Sequence, residues 1–274
     1  MSGPSRRTVL TSLAVFGAIG VGGGALGKVA PDAAAHQEDV TAWNSVRIER
    51  GVLRSRYRRR YDSAWLLVRP KQPRGLVVAL HGKGGQSWDW VLRHDIVAAA
   101  GESCVAVAAI DGGDTWWHPR TGGREPGTDS GSLVFDELLP LIARHGIDTR
   151  RMGLLGLSMG GFGALSLAQR HGPTRCAAVA TLSAAVYRNL EDSDPEAFDG
   201  PADFAAHDVI THAHRLRDIP VWMTVGTSDA FVAGNRALAG RLPQALTDFR
   251  PGGHNDQFWV GQARTAVRFL APYL

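Results

Sequence analysis

The chain of 274 residues is 44% hydrophobic and 20% charged, an ordinary globular composition with enough apolar material for one large domain. Its formal charge of +4 and pI near 9.4 are mildly basic and give no ground for a nucleic-acid partner.

In chain order, the first feature is SRRTVLTSLAVFGAIGVGGGALG, in which Arg6 and Arg7 precede an apolar stretch with five glycines between Gly17 and Gly24. So many glycines make a poor membrane-spanning helix. Paired arginines before a weakly apolar segment resemble a twin-arginine export signal, which a bacterial translocase reads as an address. Residues 1–35 are therefore read as the signal. An Ala-x-Ala cleavage site lies in AAAH after Ala35, with KVAP a second candidate. The mature domain is then 36–274, expected outside the cell or in its envelope, and membrane-anchored if the signal stays uncleaved. Losing Arg6, Arg7, Lys28 and Asp32 lowers the charge to about +2 and weakens electrostatic recruitment further.

Next, SVRIERGVLRSRYRRRYDSAWLLVRP predicts an antiparallel hairpin or meander. Its basic run at 54–62 is read as a solvated strand face or hairpin with Tyr57 and Tyr61 packing inward. The sharper alternative is a patch facing anionic lipid or cell-wall polymer. Five apolar runs follow: GLVVALHG from 75, SCVAVAAID from 103, RMGLLGLS from 151, CAAVATLSAA from 176 and IPVWMTVGTSD from 219. Runs without alternation are what strands covered on both faces look like.

Between and after these runs come helical patterns: WDWVLRHDIVAAAG, SLVFDELLPLIARHG, GGFGALSLAQRHG, NRALAGRLPQAL and the closing NDQFWVGQARTAVRFLAPYL. Strands alternating with helices define an α/β fold with a mostly parallel sheet, whose ligands bind at the carboxyl ends of the strands. Cys104 and Cys176 open strands not expected to be neighbours, so both are read as buried, unpaired thiols. Residues 187–218 break the rhythm and are read as a small cap-like insertion.

GLSMG at 156–160 places Ser158 between a strand and a helix, the setting of a nucleophile elbow. Gly156 and Gly160 permit the tight turn, and Gly161 and Gly163 permit close packing of the helix. The helix N-terminus aims the Met159 amide at developing negative charge. A serine hydroxyl needs a base, and the base an orienting acid. Asp229 ends a buried strand in GTSDAFV, and His254 sits on a glycine loop in PGGHNDQFW, in the chain order serine, acid, histidine. Asp256 is read as a helix cap, and Asp218 lies at the wrong end of its strand.

The second oxyanion donor is expected from LHGKGGQSW, assigned to the Lys83 amide with Gly82 or Gly84 possible; His81 orders that loop. Trp116 and Trp117, on the loop 111–132, are candidate liners of an acyl or aromatic pocket, and packing the loop on the domain is their other reading. Asp111, Asp114 and Asp129 are candidate polar contacts to substrate. His145 and His171 end helices, where a structural cation is favoured. His212 and His214 lack further ligands, so no metal is expected, and the triad needs no cofactor.

With these residues assembled, the chain from Gly75 to Trp259 resembles the esterase D and mycolyltransferase branch of the α/β-hydrolase superfamily. GLSMGGFGAL, ELLPLI, GTSDAFV and GGHNDQFW carry the resemblance. It implies serine-dependent ester hydrolysis or acyl transfer on a small-molecule, lipid or polysaccharide ester. Two departures matter. The mycolyltransferases typically carry glutamate where Asp229 stands, and cytosolic esterase D proteins lack an export signal. The reading is an exported serine carboxylic-ester hydrolase. An acyltransferase using a sugar or lipid hydroxyl is the alternative, and a noncatalytic cell-envelope binding protein the reading from another class.

Overall fold

The computed structural model describes the backbone of residues 36–43 and all of 46–274, so the signal expected at 1–35 lies outside the described residues. β1 (His36–Trp43) precedes the basic hairpin region and pairs antiparallel with β2 (Val46–Arg54); the region itself gives β2 and β3 (Asp62–Pro70), also antiparallel. The unbroken apolar runs give β4 (Leu76–Leu80), β5 (Ala106–Ile110), β6 (Met152–Leu157), β7 (Cys176–Leu182) and β8 (Val221–Gly226). Every residue in these five strands is buried. With β9 (Leu246–Arg250) they form, among the described residues, one nine-stranded sheet in the order β1-β2-β3-β5-β4-β6-β7-β8-β9. From β5 to β9 all neighbours are parallel. This is the α/β-hydrolase fold.

The helices are α1 (Asp89–Leu92), α2 (Ile96–Ser103), α3 (Ser130–Ser132), α4 (Leu139–Arg144), α5 (Met159–His171), α6 (Pro201–His207), α7 (Val232–Ala239), α8 (Asp256–Trp259) and α9 (Gln262–Leu270). They cover both faces of the sheet, which is why β4 to β8 are buried throughout. Successive strand residues feed opposite cores: Val78, Leu80 and Leu154 pack with Phe162 and Leu165 of α5, while Val77, Ala79 and Leu155 pack with Ala266, Val267 and Leu270 of α9.

Three sequence expectations shift. The helix expected over 88–101 breaks before Asp95, which takes a left-handed φ of 52°. The 132–146 helix contains a π-helical stretch, Leu133–Leu138, just before Pro140, which has no amide hydrogen to continue the regular ladder. The pattern NRALAGRLPQAL stops being helical at Ala239, and the half-polar LTDFR beyond it becomes the edge strand β9. Cys176 is buried as expected, and burial pushes its thiol up to about 12. Cys104 is exposed, because it caps α2 in a left-handed conformation and the strand begins only at Ala106.

The basic hairpin also divides. Arg54, Arg56, Arg59 and Arg60 are exposed, and so is Tyr61 at 48%, whereas Tyr57 packs partly against the core. Arg58 is buried and braces the loop 111–129: it donates to both Glu125 carboxylate oxygens at 2.9 and 3.0 Å and to the Asp111 carbonyl at 2.9 Å.

The two helix-ending histidines differ. His145 meets Glu49 at 2.6 Å. The ring of His171 stacks on Phe135 with centroids 3.5 Å apart. Burial, then Arg170 and Arg175, push His171 down to about 4, so it is neutral at pH 7 rather than a cation. Because the folded value lies below the unfolded one, the unfolded chain binds more protons between about 6.5 and 4. This contribution is complete above about 6.5 and is lost as pH falls toward 4. The melting temperature of His171→Gln should therefore fall less steeply than the native one over this range. After discounting for solvent screening, the difference in stability should be roughly 1–2 kcal/mol. Parallel pH–Tm curves would refute this account.

Candidate active site

Strand β6 ends at Leu157, and α5 begins at Met159, leaving Ser158 alone in the turn at φ 54° and ψ −115°. A non-glycine residue is rarely held at positive φ. Here the Ser158 amide donates to the Leu182 carbonyl at 2.9 Å and its carbonyl accepts from Ala185 at 3.0 Å. The turn closes because Gly156 meets Gly160 backbone to backbone: a Cβ on Gly156 would stand 2.0 Å from the Gly160 carbonyl oxygen.

The acid and the imidazole arrive from the neighbouring strand ends. Asp229 lies just past β8 and His254 just past β9. The two loops are fastened together by hydrogen bonds from Thr227 N to Arg250 O at 2.8 Å and from Ser228 N to Gly252 O at 2.9 Å. His254 Nδ1 is 2.9 Å from Asp229 Oδ2, and His254 Nε2 is 2.9 Å from Ser158 Oγ. An ionised carboxylate only accepts, so Nδ1 carries the hydrogen and Nε2 is free to accept from the serine hydroxyl. Burial works against the charge on Asp229, whose side chain is 0% exposed. Hydrogen bonds from His254, the Phe231 amide and Ser183 outweigh it and hold the carboxyl below its usual range.

Several residues that sequence reasoning missed shape this chain of contacts. Trp259 and Phe231 set their rings against His254, with centroids at 4.9 and 5.0 Å. Ser183, itself at φ 48°, bonds to Asp229 and accepts from Trp259 Nε1 at 2.9 Å. FW after the histidine was legible as a pattern, but nothing near Ser183 marked it.

The loop after β4 faces Ser158. A Cβ on Gly82 would lie 3.4 Å from Ser158 Cβ, and His81, Gly82 and Lys83 line the same cleft of about 230 Å³ as Ser158, His254 and Trp259. His81 orders the loop: Nδ1 bonds to the Gly82 carbonyl at 2.8 Å and Nε2 accepts from the Gly112 amide at 2.9 Å. Burial lowers its pKa, in keeping with a neutral ring that uses one nitrogen as donor and the other as acceptor. The Gly84 amide is engaged with Asp114 at 2.6 Å, and the Gly85 amide with the Gly82 carbonyl at 3.0 Å. Of the amides considered for the oxyanion, Gly84 is thereby removed. Met159 opens α5, where first-turn amides have no acceptor within the helix.

Other expected contacts fall elsewhere. Trp116 and Trp117 are 2% and 0% exposed and do not line the cleft. Trp116 packs on Phe162, Tyr187 and Phe198, and Trp117 donates to the His81 carbonyl at 3.3 Å. Their bulk anchors the loop to the body, the other reading of the pair. Asp111, Asp114 and Asp129 are likewise structural: they accept from Ser87 N, Gly84 N and Ser132 N. Asp256 is not the cap of α8; Asn255 is, accepting from Phe258 N, while Asp256 faces Arg93 at 3.8 Å. In their place the cleft offers Arg93 and His94. The Lys83 side chain turns to the insertion, meeting Asp194 at 2.6 Å and Glu196 at 2.9 Å. Burial would lower its pKa, but these two carboxylates raise it.

A carboxylate, an imidazole and a hydroxyl joined in series at an elbow in this fold define a hydrolase-type site. Residues 69–266 match the model of the esterase family, described as "Putative esterase", and the chain belongs to that family. It is an enzyme that acts as a carboxylic-ester hydrolase. No curated protein matches the chain by sequence.

Among solved structures it is similar to an S-formylglutathione hydrolase from Agrobacterium tumefaciens (16% identity, TM-score 0.73, covering 88% of this chain and 99% of that one). It is also similar to a ferulic acid esterase (19%, 0.70, 84% and 100%). A third is FphF, a fluorophosphonate-binding serine hydrolase of Staphylococcus aureus (14%, 0.70, 82% and 98%). At these identities the likeness carries the fold.

Proposed function

We propose that the protein is an exported serine esterase that works through an acyl-enzyme on Ser158, with His254 as base and Asp229 as its orienting acid. The observation that carries this reading is the unbroken hydrogen-bonded series Ser158 Oγ, His254, Asp229 at 2.9 Å per link. His254 Nε2 takes the hydroxyl proton as Oγ attacks the ester carbonyl. The Met159 and Lys83 amides receive the oxyanion. His254 then gives the proton to the leaving alkoxide, and water repeats the sequence on the acyl-enzyme. A cleft of about 230 Å³, below the usual range for drug-sized ligands, favours small or short-chain esters. Export rests on Arg6, Arg7 and the segment through residue 35, and implies the twin-arginine translocase as a transient partner.

His254 is exposed, so a sugar or lipid hydroxyl could take the place of that water, and acyl transfer is the second reading. A p-nitrophenyl ester series from acetate to palmitate, run with fluorophosphonate labelling, tests both. Turnover greatest on short chains is expected. Labelling without turnover until a polyol is added would instead establish a transferase. The absence of both turnover and labelling would overturn the nucleophile assignment.

A further inference from the structure

Away from the cleft, the insertion meets the loop 111–129 through a second cluster of histidine and carboxylate. His118 comes from the loop, while Asp203 and His207 stand one turn apart on α6. One donor atom from each lies within 4.8 Å of the other two. His207 Nδ1 is 2.9 Å from Asp203 Oδ1, and His118 Nδ1 is 3.8 Å from the same oxygen. The two imidazole rings face each other with centroids 4.2 Å apart.

His118 carries the second, independent observation. It is 2% exposed, and both ring nitrogens face oxygens that can only accept. Nε2 is 3.0 Å from the Ala197 carbonyl, and Nδ1 is 3.1 Å from the Pro119 carbonyl and near Asp203. A neutral imidazole has one N–H to donate. If Nε2 donates to Ala197, the Nδ1 lone pair points among oxygens with no hydrogen to receive. The other tautomer merely moves the mismatch to Nε2. A buried lone pair among oxygens calls for a positive centre, either a proton or a metal ion.

We infer that His118, Asp203 and His207 form a binding site for a divalent transition-metal ion, zinc by its chemistry, that ties the insertion to the loop 111–129. Two imidazole nitrogens and one carboxylate oxygen suit zinc and its neighbours rather than calcium or magnesium. Ligand atoms around a tetrahedral zinc stand roughly 3.4 Å apart. The 2.9 and 3.8 Å separations bracket that spacing, so small side-chain rotations close the site.

The outer contacts are those of metal ligands. Nε2 of His118 donates to a backbone carbonyl, and Asp203 Oδ2 accepts from the Asp199 amide at 2.8 Å. Binding moves the His207 hydrogen from Nδ1 to Nε2 and replaces the hydrogen bond between His207 and Asp203 with one bond from each to the ion. A remaining coordination position is left for water.

The test uses the full chain after chelator treatment and desalting. Zinc chloride alone is titrated by calorimetry, with magnesium as control, and melting is followed by fluorescence. One zinc per chain is expected, with Tm raised by about 5–10 °C at a hundredfold excess over Kd. Cobalt(II) in place of zinc should give the visible absorption of a tetrahedral site. His207→Ala and Asp203→Asn should each abolish the shift and the spectrum while still melting cooperatively without metal. His207→Gln replaces the first variant if it fails to fold. Absence of zinc binding at 100 µM would overturn the proposal, as would a native-like shift in both variants, which would place the ion on other groups such as His212 and His214.

Discussion

Replacing Ser158 by alanine is expected to lower kcat for ester hydrolysis by roughly 10⁴- to 10⁶-fold while leaving the melting temperature within a few degrees of native. The hydroxyl removed is the group in the cleft that donates to His254 Nε2 at 2.9 Å and stands beside the loop of Gly82 and Lys83, placed to attack a carbonyl. It is not needed for the turn, which is held by backbone bonds to Leu182 and Ala185 that alanine keeps. Asp229→Asn should cost about 10⁴-fold, because an amide facing Nδ1 favours the wrong tautomer of His254. Measuring kcat on the best p-nitrophenyl ester together with a thermal melt separates a lost nucleophile from a lost fold. Activity within tenfold of native in Ser158→Ala would remove Ser158 from the chemistry.

Gly156→Ala is the substitution expected to harm the fold most. The added Cβ would lie 2.0 Å from the Gly160 oxygen, 2.3 Å from its carbonyl carbon and 2.6 Å from the Gly161 nitrogen. All three are backbone atoms, so no side chain can swing away, and α5 must move as a unit off β6. Overpacking of this kind costs about 3 kcal/mol or more, which in a domain of this size lowers Tm by about 10 °C. The same movement carries Ser158 away from His254, and a misplacement of about 1 Å costs on the order of 10²-fold in rate. Gly240→Ala is the control: its φ is −62° and the nearest atom would be 3.5 Å from the new Cβ. It should melt as native. Were Gly156→Ala to do so too, the contact at the elbow would not be as tight as described.

The parallel sheet was legible because its strands are buried on both faces, which leaves long apolar runs that no turn interrupts. The edge strand β9 was not: LTDFR is half polar with none of its residues buried, and a helix-like pattern leads into it. The positions of Ser158, Asp229 and His254 could be read from glycines and strand ends, since an elbow and two loop tips have strong local signatures. The substrate-side contacts could not. Trp116 and Trp117 look the same in sequence whether they line a cleft or fill a core. Burial of Trp116 is settled by Phe162 and Phe198, and that of Trp117 by His81 and Gly163, all far along the chain. Asp111 and Asp114 depend in the same way on amides of the loop after β4, a pairing no local pattern encodes. His118 is likewise distant in sequence from Asp203 and His207, and THAH is the more conspicuous pattern.

Ser158, Asp229 and His254 hang from the ends of β6, β8 and β9, with only β7 intervening among these strands. The spacing of adjacent strands, about 4.8 Å, therefore acts as a ruler for the distances between the three groups. Such a ruler is made of main-chain hydrogen bonds and is indifferent to which apolar side chains fill the space above and below it. That explains how structures sharing only 14–19% of this chain's residues superpose on most of its length. Sequence can drift almost freely around three side chains whose separations are set by the lattice of the sheet.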